Sequence, residues 1–361
     1  MGRKSCRLFI SGVVLAALPI VARADGVNVF SSGYTTPESI TLVPSGFGTV
    51  GGNLIVPDVG ANALYVMPAS GGAPVLFSSG VSGLGGAFLP SDFGSLGGDF
   101  LVTGETSGSG VVAVNGSGGQ TTVPIPSSDG ITGGVAIAPA GFGSVAGDAL
   151  IGGENGAGFN NGAVFALNPD GSVSQFASLG TGGSAGYLLP FGLEFAPAGF
   201  GSVGGDLLVT DGASGDIYAV DSSGNVTLFA SVAVPVLSGS VPGLRQIAFA
   251  PAGFGSYGGD LFVSVSGSQF GGGISGSVDV LNSSGAEVAV LQQGAVGSPF
   301  DPRGLYFSSD NQLLIADTDP SILSATPGAF TATPEPSAMI PLGLGLMGIV
   351  FAARRGRKHA Q

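Results

Sequence analysis

One long motif occurs five times along the chain, and its regular return constrains the fold more than any other feature. The first copy runs from Val43 to Val56 and contains a Gly-Phe-Gly turn, a Gly-Gly pair and the apolar triplet Leu54-Ile55-Val56. The triplets start at positions 54, 100, 149, 207 and 261, and a shortened sixth copy starts its triplet at 313. Intervals of 46 to 58 residues are typical of propeller blades and too long for most helical repeats.

Each repeat carries several strand signals separated by turns. In the fourth repeat the signals are residues 192–195, 207–210, 217–220 and 226–229, and the turns contain Asp211-Gly212 and Ser214-Gly215. Antiparallel four-stranded units repeated six times predict an all-β fold, a six-bladed β-propeller. We place it at residues 25–328, with repeats starting near 39, 83, 131, 190, 243 and 303.

The last repeat lacks a fourth strand, and the start of the exported chain supplies one. Its third strand is predicted at residues 322–325, after which no further strand signal precedes the tail. The segment Val29-Phe30-Ser31-Ser32-Gly33 matches the fourth-strand segment Leu76-Phe77-Ser78-Ser79-Gly80 of the first repeat. We therefore expect the N-terminal strand to complete the last blade, which closes the ring and removes exposed sheet edges.

The Gly-Phe-Gly-Ser segment joins the first two strands of each repeat. We interpret it as a turn-rich hairpin loop whose phenylalanine folds back as a plug. A phosphate-binding loop would need a following helix and a lysine, and the sequence provides neither.

Both ends of the chain contain apolar segments that are typical of targeting signals rather than of the folded domain. At the N-terminus a basic segment precedes the apolar run 8–21, and Ala22-Arg23-Ala24 fits a signal-peptidase site, so residues 1–24 are a predicted signal peptide. At the C-terminus a linker, 329–336, ends in Pro334-Glu335-Pro336. Residues 337–353 follow as an uncharged run that as a helix spans roughly 26 Å, enough for a transmembrane helix. A basic cytoplasmic tail, 354–361, closes the chain and begins with Arg354-Arg355.

This order of triplet, short helix and basic cluster resembles the PEP-CTERM sorting signal of Gram-negative bacteria. The resemblance covers residues 334–361 and implies recognition and processing by an exosortase-type membrane enzyme. It also implies transient anchoring in the inner membrane, followed by display at the cell surface or outside the cell. The alternative is an ordinary C-terminal membrane anchor.

The composition of the exported domain excludes most enzyme classes. Residues 25–333 contain no Cys, His, Lys or Trp, so catalytic triads, His-ligated zinc, Schiff-base lysines and disulfides are all ruled out. With two basic and 22 acidic residues, the domain has a formal charge of −20. That charge rules out nucleic acid as a partner and favours cations, with Ca²⁺ as the candidate.

Acidic residues end the second strand of most repeats. They are Asp58, Glu105, Glu154, Asp211 and Asp317, and the fifth repeat breaks the series with Ser264-Val265. Equivalent positions of successive blades gather on one face of a propeller, so these carboxylates could ring the channel mouth and hold Ca²⁺. Alternatively, each acid caps its own turn by accepting backbone N–H groups.

The repeats resemble NHL-type and gluconolactonase-like six-bladed propellers, through segments such as 192–197, 207–211 and 217–224. Gluconolactonase-like enzymes hold a divalent metal with Glu, Asn and Asp ligands. The resemblance would give those roles to residue types that this chain also has, namely Glu194, Asn155, Asp211 and Asp317. The two arginines of the domain, Arg245 and Arg303, are expected to pair with neighbouring carboxylates.

These observations predict an exported, non-catalytic propeller with a structural, adhesive or matrix role. PEP-CTERM systems commonly accompany exopolysaccharide production, so the resemblance implies a place in a biofilm, with extracellular polysaccharide as a partner beside signal peptidase and the exosortase. Two alternatives stay open, a metal-dependent lactonase-like hydrolase and a carbohydrate-binding module. The absence of Trp and the count of only six Tyr weaken the second.

Overall fold

The computed structural model describes residues 26–81, 83–104, 110–125, 129–155, 161–181, 188–234, 243–267, 275–292 and 300–333. The predicted signal peptide with Ala22 and Ala24, the triplet Pro334-Glu335-Pro336, the predicted transmembrane helix and the tail with Arg354 and Arg355 lie outside the described residues. Within the described ranges, no helix is long and apolar enough to cross a membrane.

The described chain forms six antiparallel sheets arranged as blades around a channel. Strand β1 (Val27–Ser32) comes first and belongs to the last blade. Blade 1 consists of β2 (Thr41–Leu42), β3 (Leu54–Asp58), β4 (Ala63–Met67) and β5 (Val75–Ser79). Blade 2 consists of β6 (Gly85–Phe88), β7 (Phe100–Thr103), β8 (Val111–Val114) and β9 (Gln120–Val123). Blade 3 consists of β10 (Asp129–Ile137), β11 (Ala149–Asn155), β12 (Asn161–Leu167) and β13 (Val173–Thr181).

The second half of the ring repeats this pattern. Blade 4 consists of β14 (Pro190–Phe195), β15 (Leu207–Asp211), β16 (Asp216–Val220) and β17 (Val226–Ser231). Blade 5 consists of β18 (Gly243–Phe249), β19 (Leu261–Ser266), β20 (Ser277–Leu281), β21 (Glu287–Leu291) and a fifth strand, β25 (Thr331–Ala332). Blade 6 consists of β22 (Pro302–Phe307), β23 (Leu313–Asp317), β24 (Ser321–Ala325) and β1. The predicted six-bladed propeller with four-stranded blades is confirmed.

The burial of each strand matches the polarity of its residues. Second strands such as β15 are buried at every residue because neighbouring blades cover both of their faces. The fourth strand β17 is mostly exposed or half-buried, as expected at the outer edge. The apolar core therefore lies between the blades rather than in the channel.

The predicted ring closure is confirmed. Strand β1 pairs antiparallel with β24, and the register runs from Val27 opposite Ala325 to Ser32 opposite Ser321. Blade 6 thus takes three strands from the end of the propeller and one from its start. The edges of β1 and β24 that pair with each other are therefore satisfied within the ring.

The repeated phenylalanines are plugs between blades. They are Phe47, Phe93, Phe142, Phe200 and Phe254, all buried. The ring of Phe254 lies 4.9 Å, edge to face, from Phe307 of the next blade. The same contact joins Phe47 to Phe88 at 4.9 Å, Phe142 to Phe195 at 4.8 Å, and Phe200 to Phe249 at 4.8 Å.

Glycine is needed where this loop approaches the next blade. Gly48 has a φ of 54°, and a Cβ there would collide with the carbonyl oxygen of Gly116 in blade 2. In four copies the loop then forms one turn of 3₁₀ helix, at Gly94–Leu96, Gly143–Val145, Gly201–Val203 and Gly255–Tyr257. The predicted plug is therefore found, and the structure adds that this segment makes a contact between blades.

The folded domain extends beyond residue 328, the predicted end of the propeller. A turn of 3₁₀ helix, Pro327–Ala329, leads to the buried side chain of Phe330. The Phe330 ring lies 5.2 Å from Phe262 of blade 5. Strand β25 then pairs with β21 on the outer edge of blade 5. Residues 329–333, predicted as the first part of a linker, are therefore held by the propeller.

Candidate functional site

The first strands of all six blades surround a central channel. Glycines allow them to approach closely: a Cβ at Gly304 of blade 6 would lie 2.6 Å from the Cα atom of Ser39, just before β2. The wider half of the channel is a cavity of about 720 Å³, which we call the channel cavity. Most of the side chains in its wall are apolar, and they include Phe88, Phe195 and Phe249. Volume and lining are those of a small-molecule pocket.

Gln246 of β18 narrows the channel. Its side-chain amide donates to the carbonyl oxygen of Leu84 in blade 2 (3.5 Å) and accepts from the N–H of Leu305 in blade 6 (3.4 Å). One side chain therefore links three blades across the channel. Beyond it lies the narrow end, lined by Glu38, Leu84, Phe191, Arg245, Gln246 and Arg303.

Glu194 of β14 is the carboxyl group of the channel cavity. Its side chain is exposed although β14 is an innermost strand, so the solvent that reaches it is the water in the channel. Protein nevertheless surrounds the carboxyl, and this burial raises its pKa to about 7. No hydrogen bond or ion pair joins it to any other described residue. Among the described residues of the wall, Tyr306 is the only other titratable one, and burial raises its pKa too.

At the narrow end the arginines are held by protein groups. The Arg303 guanidinium donates to Asp301 Oδ2 at 2.9 Å, and its Nη1 lies 3.9 Å from Glu38 Oε1. All three side chains are buried. Arg245 lies with its Cζ atom 4.2 Å from the centre of the Phe191 ring, a cation–π contact. Arg303 thus pairs with carboxylates as the sequence predicted, while the carboxylate pairing expected of Arg245 stays a prediction.

Asp58 binds backbone groups of its own blade. Its Oδ2 accepts from the N–H of Thr35 at 2.6 Å, and its Oδ1 accepts from Thr36 at 2.8 Å and from Ala61 at 3.0 Å. The carboxylate is completely buried. This is the turn-capping arrangement that the sequence left open beside the metal site.

Asp211 and Asp317 follow the same pattern. Asp211 Oδ1 accepts from the N–H groups of Leu189 and Ala213, each at 2.9 Å. Asp317 Oδ1 accepts from the N–H of Asp301 at 3.0 Å. Burial raises the pKa of both carboxyls, that of Asp317 to about 6.

Glu154 differs from these three. It is buried at the end of β11, its Oε1 has no hydrogen-bond partner among the described residues, and burial raises its pKa to about 7. Asn155 follows it as the last residue of β11. Glu105 lies outside the described residues.

The described residues do not assemble the predicted metal ligands at one point. They contain no group of three or more His, Cys, Asp or Glu side chains placed to share an ion. Glu194 pairs with Leu208 on β15, whereas Asp211 pairs with Pro190, four residues earlier on β14. At about 3.3 Å per residue this separates the two by roughly 13 Å along the strand. A Ca²⁺ site at the strand ends stays a prediction.

Hydroxyl side chains on second strands link neighbouring blades, which the sequence analysis did not anticipate. Thr210 Oγ1 donates to the carbonyl oxygen of Arg245 at 2.6 Å, and Ser264 Oγ donates to that of Arg303 at 2.7 Å. Each hydroxyl directly follows an apolar triplet. A comparison of the residue after each triplet in successive repeats could have predicted these hydroxyl groups.

The fold and channel define the chain as a six-bladed β-propeller, distantly similar to lactonases and to nutrient-binding proteins. A gluconolactonase from Xanthomonas campestris has a TM-score of 0.55 and 13% identity, covering 87% of this chain and 92% of that chain. An auxiliary nutrient binding protein from Bacteroides thetaiotaomicron has a TM-score of 0.58 and 12% identity, covering 85% of this chain and 76% of that chain. The calcium-binding protein regucalcin from Agrobacterium tumefaciens has a TM-score of 0.50 and 14% identity, covering 82% and 94%.

At such identities the similarity establishes the fold alone. No protein-family model matches the chain, and no curated protein sequence is significantly similar to it. The structural relatives include both an enzyme and a binding protein. Function therefore has to be argued from the residues of this chain.

Proposed function

We propose that this chain is an exported, non-catalytic propeller with a structural or adhesive role in the cell envelope or extracellular matrix. One observation carries the proposal: both cationic side chains of the domain, Arg245 and Arg303, are buried, so every charged group on its outer surface is a carboxylate. A uniformly acidic surface keeps an exported protein soluble and excludes anionic polymers as direct partners. It fits neutral polysaccharide, or acidic polysaccharide bridged by divalent cations.

The strand-end acids support this role over catalysis. Asp58, Asp211 and Asp317 are engaged by backbone N–H groups and do not converge on a common point. A hydrolytic metal site needs ligands that converge and leave a position open for water. The carboxylates therefore serve best as parts of the turns that they cap.

Delivery follows from the two ends of the sequence. In this proposal signal peptidase cuts after Ala24, and an exosortase-type enzyme processes the tail at Pro334-Glu335-Pro336. Intact mass spectrometry of the mature protein from its native host tests both steps. The expected species begins at Asp25 and lacks residues 354–361. A mature chain that keeps Arg354 and Arg355 would leave an ordinary membrane anchor as the correct interpretation.

The matrix role is tested by sedimentation of the full-length chain with exopolysaccharide isolated from the same host. We expect co-sedimentation, in Ca²⁺ for an acidic polymer and without Ca²⁺ for a neutral one. Failure to sediment under either condition, together with an unchanged biofilm in a deletion strain, would refute the role.

A metal-dependent lactonase is the second candidate, favoured by the similarity to a gluconolactonase. A panel of aldonolactones with Ca²⁺, Mn²⁺ or Zn²⁺ tests it directly. Turnover above the spontaneous hydrolysis rate that EDTA abolishes and added metal restores would establish the enzyme and overturn the non-catalytic proposal. The same panel, read by calorimetry, detects sugar binding without turnover.

A further inference from the structure

The channel cavity contains an unpartnered carboxyl group facing an apolar and aromatic wall. Glu194 enters the cavity from blade 4 and makes no hydrogen bond or ion pair with the described residues. The protein that surrounds the Glu194 carboxyl disfavours its ionised form, and a counter-charge in the cavity would offset that cost. Structural carboxylates elsewhere in the propeller, such as Asp58, are satisfied by backbone N–H groups. Glu194 differs from Asp58 because its carboxyl has no hydrogen-bond partner among the described residues.

A hard metal ion does not fit this cavity. Apart from Glu194, its described wall offers the side-chain oxygens of Thr41, Gln246 and Tyr306, which come from three different blades. Ca²⁺ takes about six to eight oxygen ligands close together. The Gln246 amide oxygen is moreover engaged by the N–H of Leu305. One carboxylate and three side-chain oxygens from separate blades fall short of such a coordination shell.

The wall instead offers what an organic cation needs. Four half-buried phenylalanines at equivalent ends of first strands line the cavity: Phe88, Phe195, Phe249 and Phe307. Aromatic rings attract ammonium groups through their electron-rich faces, and more strongly where water is excluded. A carboxylate supplies the opposing charge, and a cavity of about 720 Å³ admits a molecule of small-drug size.

We propose that the channel cavity binds a small organic cation, an amine or quaternary ammonium compound with an apolar body, whose charged group is held by Glu194 and the surrounding aromatic wall. The acidic outer surface of the domain raises the local concentration of such cations at the channel. The proposal is independent of the matrix role, since it concerns the interior of the ring and not its outer surface.

The test compares ligands of equal shape and different charge on the full-length chain. Choline and 3,3-dimethylbutan-1-ol have nearly the same shape, but only choline is charged; benzyltrimethylammonium adds an aromatic body. Isothermal titration calorimetry at pH 8, where Glu194 is ionised, is expected to show saturable binding of both cations and none of the neutral alcohol. Equal binding of the alcohol, or no saturable binding of any probe at millimolar concentration, would refute the proposal.

Variants then locate the site. Glu194→Gln keeps the size of the side chain and is expected to weaken cation binding about ten- to hundredfold, since it removes a charge-assisted contact. Glu287→Gln makes the same change at an exposed position of β21, outside the channel cavity, and should leave the affinity unchanged. Ala248→Leu narrows the cavity without changing its charge and should also weaken binding.

Two outcomes decide against the assignment. Glu194→Gln that binds choline as tightly as the wild type would place the site elsewhere. A rise in melting temperature with Ca²⁺ that Glu194→Gln abolishes would identify the cavity as a metal site and overturn the organic-cation proposal. In both cases the polysaccharide sedimentation above remains a separate measurement.

Discussion

Truncation of one loop phenylalanine, Phe254→Ala, tests whether the repeated motif holds the blades together. The Phe254 side chain is fully buried, and its ring lies 4.9 Å from Phe307 in blade 6, 5.4 Å from Phe262 and 6.2 Å from Phe330. Core Phe→Ala changes cost about 3–5 kcal/mol, and each aromatic pair adds roughly 0.5–1.5 kcal/mol beyond area burial. Because the side chain is fully buried and contacts three rings, we expect Phe254→Ala to lower the free energy of unfolding by about 4 kcal/mol.

The loss should appear as a lower midpoint of urea unfolding with an unchanged slope. Circular dichroism and tyrosine fluorescence can follow the transition, because the chain contains no Trp. A double-mutant cycle with Phe307→Ala isolates the contact between blades, for which we expect a coupling of about 0.5–1.5 kcal/mol.

The matched control is Leu76→Ala, on the outer strand of blade 1, where the side chain is 55% exposed. Its cost should stay within about 0.5 kcal/mol. If Phe254→Ala cost no more than this control, or showed no coupling to Phe307, the inter-blade plug would be refuted. The motif would then be a loop sequence without a packing role.

Three further predictions concern the turns, the ring and the buried carboxyls. Asp58→Asn should lower the free energy of unfolding by about 1–3 kcal/mol, because an amide group then faces backbone donors. The loss should be equal in Ca²⁺ and in EDTA; stabilisation by Ca²⁺ in the wild type alone would favour the metal site. Deletion of residues 26–33 removes β1 and exposes the edge of β24, so light scattering should show dimers or larger species, and a stable monomer would contradict the closure argument. Burial raises the pKa of Glu154, Glu194 and Asp279 to about 7, so folding favours their protonated forms. Their contribution to stability is greatest below their unfolded-state pKa values near 4 and is lost as pH rises to about 7. The melting temperature should therefore be higher at pH 5 than at pH 8, and the reverse order would overturn this prediction.

The sequence predicted those parts of the fold whose residue pattern is local and recurs in each repeat. Apolar triplets at regular intervals predicted the second strands, and the match between residues 29–33 and 76–80 predicted the closing strand. Strand β25 escaped prediction because it has two exposed residues and is held by backbone pairing to β21. Phe330 anchors that segment, but one large apolar residue among Pro, Gly, Ala and Thr leaves no periodicity to recognise.

The candidate site was harder to predict because it depends on which residues meet across the ring. Glu194 was noted for its residue type, but the sequence could not show that its carboxyl enters the channel and has no partner among the described residues. Gln246 was missed, although a polar residue beside the apolar run 247–250 was a usable signal. Its contacts with blades 2 and 6 join residues far apart in the chain, which no local pattern encodes.

In the proposed export route, both predicted processing sites are within a few residues of the folded ring along the sequence, and this would order export and folding. Cleavage after Ala24 would leave two residues before β1 begins at Val27, while Thr333 is held to the carbonyl oxygen of Val288 and is followed at once by Pro334. The closing strands β1 and β24 pair residues about 300 positions apart, so closure must wait until nearly the whole domain has crossed the membrane. Until then blade 6 presents an open edge, which is prone to pair with other chains. A C-terminal anchor that holds each chain at the membrane until β1 has docked would keep such edges apart, so a tail that anchors as proposed would assist folding as well as sorting.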